Sequence, residues 1–247
     1  MQGALPAMPI RFCLVAAFAV LLTAPSAHAK LKSAAMRLPA ELATVPRHEV
    51  SGRQGWRHLQ YLAFADVRAA NVQRSTTKGG DLGILFYRGS KRRQTFSFSL
   101  TVGTGTPWQV AAATNLRRRA AEIDGFAVEV RNDSGFAATI HPGETGAAAW
   151  TLEMSEKSEQ PLQGWLRRGA ELFLVKGTDR LAGTPLPLGE TSGYVFEWNG
   201  RPVAAVEVLG DGAVWFGSDL TPERRAAVAA AASALLLLEE LRVTLPN

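Results

Sequence analysis

The chain has 247 residues, 27 Lys and Arg against 22 Asp and Glu for a formal net charge of +5, and a single cysteine. One cysteine excludes a disulfide framework within the chain. Nucleotide-binding and nucleic-acid-binding signatures are absent, and no acid, base and nucleophile converge in the sequence to suggest an enzyme.

Arg11 supplies a positive start, Phe12 to Leu22 form a short apolar core, and Ala27-His28-Ala29 place small residues where a signal peptidase reads. Together they predict a signal peptide over residues 1–29, cleaved after Ala29. The apolar core is too short for a spanning helix, which needs roughly 20 apolar residues. No transmembrane span is expected after cleavage. Cys13 falls early in the leader, so the remaining 218 residues (247 less 29) carry no thiol and must be stabilised by packing alone. That is chain enough for one full core. The expected location is periplasmic or secreted in a Gram-negative bacterium, and abundant Ala, Gly and Arg suit an envelope protein of a GC-rich one.

Residues 30–50 contain Pro39 and Pro46, few aromatics and no lasting periodicity, and read as an extended arm. From residue 51 a single β domain is expected. Thr95 to Val102 is its clearest strand: Phe96, Phe98, Leu100 and Val102 alternate strictly with Thr and Ser. Further strands are predicted over 82–87, 108–113, 126–130, 137–140, 148–153 and 171–175. Tyr194 to Trp198 and Pro202 to Leu209 flank Asn199-Gly200, a hairpin turn dipeptide. Gly210-Asp211-Gly212 then leads into a last strand at 213–216. Turns at this spacing indicate an antiparallel barrel or sandwich.

The pattern breaks at Thr221-Pro222, an N-cap residue followed by a residue suited to the first helical turn. A helix is predicted over 222–242. From Ala226 to Leu238 it carries no charge, and Ser233 is the only polar side chain. A helix without a polar face should be enclosed on all sides. Its apolar part spans about 20 Å, too short for a bilayer. Arg224 and Arg225 near the amino end, and Glu239 and Glu240 near the carboxyl end, oppose the helix dipole. These four should therefore meet partners at the rims of whatever encloses the helix.

The segment Tyr194 to Leu241 contains a hairpin, a strand, the Ser218-Asp219-Leu220 lead-in and an apolar helix ending in acids. In this it resembles the tubby-like barrel superfamily, which includes tubby, the phospholipid scramblases and the plant LURP-one-related proteins. The resemblance implies a twelve-stranded barrel around one central helix at the chain's end. It covers the last fifth of the chain and supplies no binding residues, because the phosphoinositide-binding positions of tubby have no match here. The competing architecture is a β-sandwich with the helix packed over one open end.

Ser75-Thr76-Thr77-Lys78 matches S-x-x-K, but that chemistry needs the tetrad at a helix start, and the surroundings are strand-like. His48, His58 and His141 are widely separated and lack the spacing of metal ligands, so no metal and no cofactor is expected. A hydrolase would need His58, Asp66 or Ser75 gathered beside another titrating group. Six tryptophans, at 56, 108, 150, 165, 198 and 215, read as core and rim residues.

Charge is distributed unevenly. Residues 30–119 hold 16 Lys and Arg against 4 Asp and Glu, and residues 120–247 hold 10 against 18. Two basic knots, Lys91-Arg92-Arg93 and Arg117-Arg118-Arg119, are candidate contacts for anionic lipid or lipopolysaccharide phosphates. The expected function is a non-catalytic binding module for an anionic or amphiphilic envelope component. The alternative is a structural protein docking an envelope partner. The counter-reading is that the two halves pair with each other across one fold, or that the knots are solvated turns.

Overall fold

The alternating run at Thr95 to Val102 lies within one of the longest strands of the protein, and its phenylalanines face inward. The computed structural model describes residues 35–53, 61–78, 92–115, 121–123, 126–128, 135–155 and 161–243. The strands are β1 (His48–Glu49), β2 (Leu62–Phe64), β3 (Val67–Lys78), β4 (Arg92–Val102), β5 (Trp108–Asn115), β6 (Ala121–Ile123) and β7 (Phe126–Val128). They continue with β8 (Gly135–His141), β9 (Trp150–Ser155), β10 (Gln163–Arg168), β11 (Glu171–Thr178), β12 (Gly193–Trp198), β13 (Arg201–Glu207) and β14 (Ala213–Phe216). The helix α1 covers Pro222–Val243.

Twelve strands form one antiparallel sheet in the order β1-β14-β13-β12-β11-β10-β9-β8-β5-β4-β3-β2. The two outer members, β1 and β2, meet through reciprocal backbone bonds between Ser51 and Ala63, at 2.9 and 3.0 Å. That single bridge joins the edges of the sheet and makes a nearly closed barrel. The closure is local, because β2 pairs with β3 only from Val67 to Ala69.

Inside the wall lies α1. It packs against β13 and against β3, β5 and β8, strands from opposite sides of the ring. Every residue from Ala226 to Leu238 is buried. The helix therefore fills the barrel, and the sandwich alternative is excluded. Wall aromatics such as Phe96, Phe98, Phe136, Phe173 and Phe196 share its core. Small alanines in the helix leave room for these rings, as a close-packed interior requires. Ser233, the one hydroxyl in this stretch, donates to the Ala229 carbonyl at 2.9 Å, which satisfies it within the helix. The cap is the expected one: the Thr221 side chain accepts from the Arg224 N–H at 3.3 Å.

The Asn199-Gly200 hairpin forms as predicted, with φ of 51° and 76° at its two turn residues, the geometry of a type I′ turn. The predicted strand at 126–130 becomes β7, paired only with β6 in a separate ladder. The strand expected over 82–87 lies outside the described residues.

Two segments cover parts of the outer wall. Residues 35–47, including a short 3-10 turn at Ala40–Leu42, lie along β12, β13 and β14. Met36 and Leu42 pack there on Val195, Ala205, Ala213 and Trp215. On the far side, Ala111, Ala113 and Ala137 alternate with inward residues yet are buried. The β6–β7 hairpin packs against β5 and β8 beside them.

Candidate functional site

The barrel has two unlike ends. At the end where α1 begins, arginines and carboxylates are matched one to another. Arg225 binds Asp66, in the β2–β3 turn, through two hydrogen bonds of 2.5 and 3.1 Å. Arg224 reaches Glu171 at 2.9 Å and lies over the Trp198 ring, 4.2 Å from its centroid. Arg168 bonds Glu171 at 2.5 and 3.1 Å, pairs with Glu223, and lies 4.5 Å over Trp150.

The expectation that Arg224 and Arg225 find rim partners is met. The carboxylates offset the unfavourable placement of two cations at the positive end of the helix. Hydrogen bonding by Arg168 holds Glu171 and Glu223 below the usual carboxylate range, and Arg225 does the same for Asp66. The same contacts, Glu223 foremost, raise the pKa of Arg168. Groups held this way are permanently ionised at neutral pH and join the helix to the wall. They are poor general acids or bases, because their protons do not move near working pH.

At the other end lie the backbones of three basic residues, Lys78, Arg92 and Arg93. β3 and β4 end and begin with Lys78 paired to Arg92 and Thr77 paired to Arg93. One strand over, Gln94 pairs with Thr114, so the chain leaves β5 at Asn115, beside the start of β4, two residues before Arg117. The backbone of Arg92 and Arg93 is thus placed in β4. Lys91, Arg117, Arg118 and Arg119 lie outside the described residues. The topology brings the start of β4 and the end of β5 together at one end of the wall. Across residues 74–93 and 115–120 the only carboxylate is Asp81.

Between described residues, two ion pairs, Arg47–Glu207 and Arg225–Asp66, join the basic half to the acidic half. Arg167–Glu153, Arg168–Glu171, Arg168–Glu223, Arg224–Glu171, Lys176–Glu197 and Arg180–Asp179 all lie within the acidic half.

The remaining candidates are dispersed. Ser75 and Lys78 lie in strand β3 and not at the helix start that S-x-x-K chemistry needs. His48 packs its ring near Phe216, His141 has its pKa lowered by burial at the end of β8, and His58 lies outside the described residues. Among the described residues no group of three His, Cys, Asp or Glu could hold a metal ion. No described helix is long and apolar enough to cross a membrane.

Two features escaped the sequence. Glu207 on β13 is only 3 % exposed, and its carboxylate accepts from the Met36 N–H at 3.1 Å and from Arg47 at 3.4 Å. It pins the 35–47 segment to the wall. The second is an apolar row on the uncovered outer face of β10 and β11, where Trp165, Leu172 and Leu174 are 41, 46 and 42 % exposed. A glutamate within a strand that reads as core, and a tryptophan among six, gave no signal of either. Compared with family models, with curated proteins and with solved structures, the chain matches none.

Proposed function

We propose that the protein is an exported binding module that engages an anionic or amphiphilic component of the bacterial envelope. The contact is made by the basic knots Lys91-Arg92-Arg93 and Arg117-Arg118-Arg119. The observation that carries this reading is the register of β3, β4 and β5, which sets the start of β4, at Arg92 and Arg93, beside the end of β5. Two further facts support it. Arginines at the opposite end are matched by carboxylates, and α1 occupies the barrel interior. A ligand is then met on the surface, by charge, and not swallowed in a cavity.

The leader at residues 1–29 supports a periplasmic or secreted location, where lipid and lipopolysaccharide phosphates are the abundant anions. The twelve-stranded wall around a terminal helix is the reason to place the chain, as part of the same proposal, with tubby-like barrels. Docking of a protein partner is the alternative, and it draws on a different surface, the Trp165 row.

Reversing Arg117, Arg118 and Arg119 to Glu tests the reading by co-sedimentation with phosphatidylglycerol vesicles. Each cation near an anionic surface contributes about 1 kcal/mol, so affinity should fall by about a hundredfold or more. Unchanged binding by a folded variant removes the proposal.

A further inference from the structure

Around most of the barrel the outer wall is covered or hydroxyl-lined. Residues 35–47 shield β12 to β14, the β6–β7 hairpin packs beside β5 and β8, and β4 presents Ser97, Ser99 and Thr101. Between these sectors β10 and β11 present large apolar side chains to solvent.

The register sets out their arrangement. Trp165 is paired with Leu174, and the same row continues to Glu153 on β9 and Glu197 on β12. Leu172 is paired with Arg167, and Lys176 with Gln163. Arg167 bonds Glu153 at 3.5 Å, and Lys176 bonds Glu197 at 2.7 Å. An apolar centre is therefore flanked on each side by one cation and one carboxylate. A half-turn about the midpoint of Trp165 and Leu174 exchanges the two flanking ion pairs within the wall. The rim carries no net charge.

That pattern restricts what can cover the row. An anionic bilayer would bring its phosphates against Glu153 and Glu197, which flank the tryptophan in its own row. A strongly charged protein of either sign would meet two like charges. A surface with the same balance of signs around its own apolar centre has no such conflict, and the chain itself carries one. Isologous pairing places the same patch on both partners, and an exposed tryptophan surrounded by a polar rim is the usual anatomy of an interface centre.

We infer that the Trp165–Leu172–Leu174 face of β10 and β11 is a homodimer interface, occupied by the same face of a second copy. This goes beyond the envelope-binding reading and does not depend on it, because it rests on different residues.

Sedimentation velocity and light scattering on the full chain, over a range of concentrations, test it. The expected result is a concentration-dependent rise to twice the monomer mass. Loss of that dimer is expected in the Trp165→Glu, Leu174→Glu double variant, with the circular-dichroism spectrum unchanged. Leu174→Gln, a milder change at an exposed position, should weaken the dimer at least tenfold. Since the apolar centre drives association and the rim charges are already paired, the dimer should persist at high salt, where vesicle binding through the basic knots is lost. A wild-type monomer at every concentration overturns the inference. So does a dimer that survives the double variant, or a monomer whose Trp165 inserts into vesicles.

Discussion

Arg225, in the first turn of the enclosed helix, and Asp66, in the turn between β2 and β3, are joined by two hydrogen bonds across the mouth of the barrel. The pair is separated by 159 residues in sequence. It ties the last element of the fold to one of the first. With Arg168, Glu171, Glu223 and Arg224 it makes that mouth a closed electrostatic seam.

The seam should make the barrel acid-sensitive. Asp66, Glu171 and Glu223 have folded pKa values below their unfolded ones. Such groups contribute stability that is fully present above the unfolded values, near pH 4, and lost as pH falls through the lowered folded values. Thermal midpoints measured from neutral to acid pH should therefore decline below about pH 4. Arg168→Ala removes the largest cause for two of the three carboxylates and should flatten that decline. The loss at neutral pH should be about 1 kcal/mol, since these groups are partly solvent-exposed. A decline of the same steepness in the variant would show that the seam is not its source.

Filling the barrel with the helix makes its leucines stability determinants. Leu237 is fully buried, and Leu237→Ala should cost about 2–5 kcal/mol through lost transfer energy and a residual cavity. The readout is the denaturant midpoint at unchanged slope. A cost below about 0.5 kcal/mol, the size of a surface substitution, would contradict an enclosed helix.

Glu207 should control the segment at residues 35–47. In Glu207→Ala the Met36 N–H loses its acceptor and Arg47 loses a carboxylate, at a cost of about 1–3 kcal/mol. Limited proteolysis should then cut within residues 35–47 well before the barrel itself. Gly193 lies under the same segment, and a Cβ there would stand 2.2 Å from the Met36 sulfur. Gly193→Ala is expected to release the segment in the same assay. Wild-type cleavage kinetics in both variants would mean the segment is held by other contacts.

Where period and packing agreed, the fold was legible in the sequence. Thr95 to Val102 alternates because one face meets the core and the other meets solvent, and the 226–238 run is apolar all round because the wall surrounds it. Asn199-Gly200 reads as a hairpin because both residues tolerate positive φ. β3 was missed for a physical reason: an irregularity between Ala70 and Gln73, with Asn71 at φ 57°, shifts the alternation halfway along the strand. β10 was missed because Trp165 points outward beside the inward Leu166, so its apolar residues do not alternate.

The candidate site was legible only as charge. Arg92 and Arg93 stand out as a knot, but their proximity to the chain leaving β5 depends on strand order, which a single sequence does not display. The pairing of Arg224 and Arg225 could be anticipated from their clash with the helix dipole, though not the identity of Asp66 and Glu171. Glu207 gave no signal, because a lone acid in a strand looks the same whether it faces water or a buried amide.

The central claim is that the basic knots bind anionic envelope surfaces by charge. The most direct measurement is co-sedimentation of the protein with phosphatidylglycerol vesicles and with neutral phosphatidylcholine vesicles across a salt series. Binding to the anionic vesicles alone, falling steeply as salt screens the surface, is the result expected here. Equal binding to both vesicles, or none to either at low salt, would contradict the account.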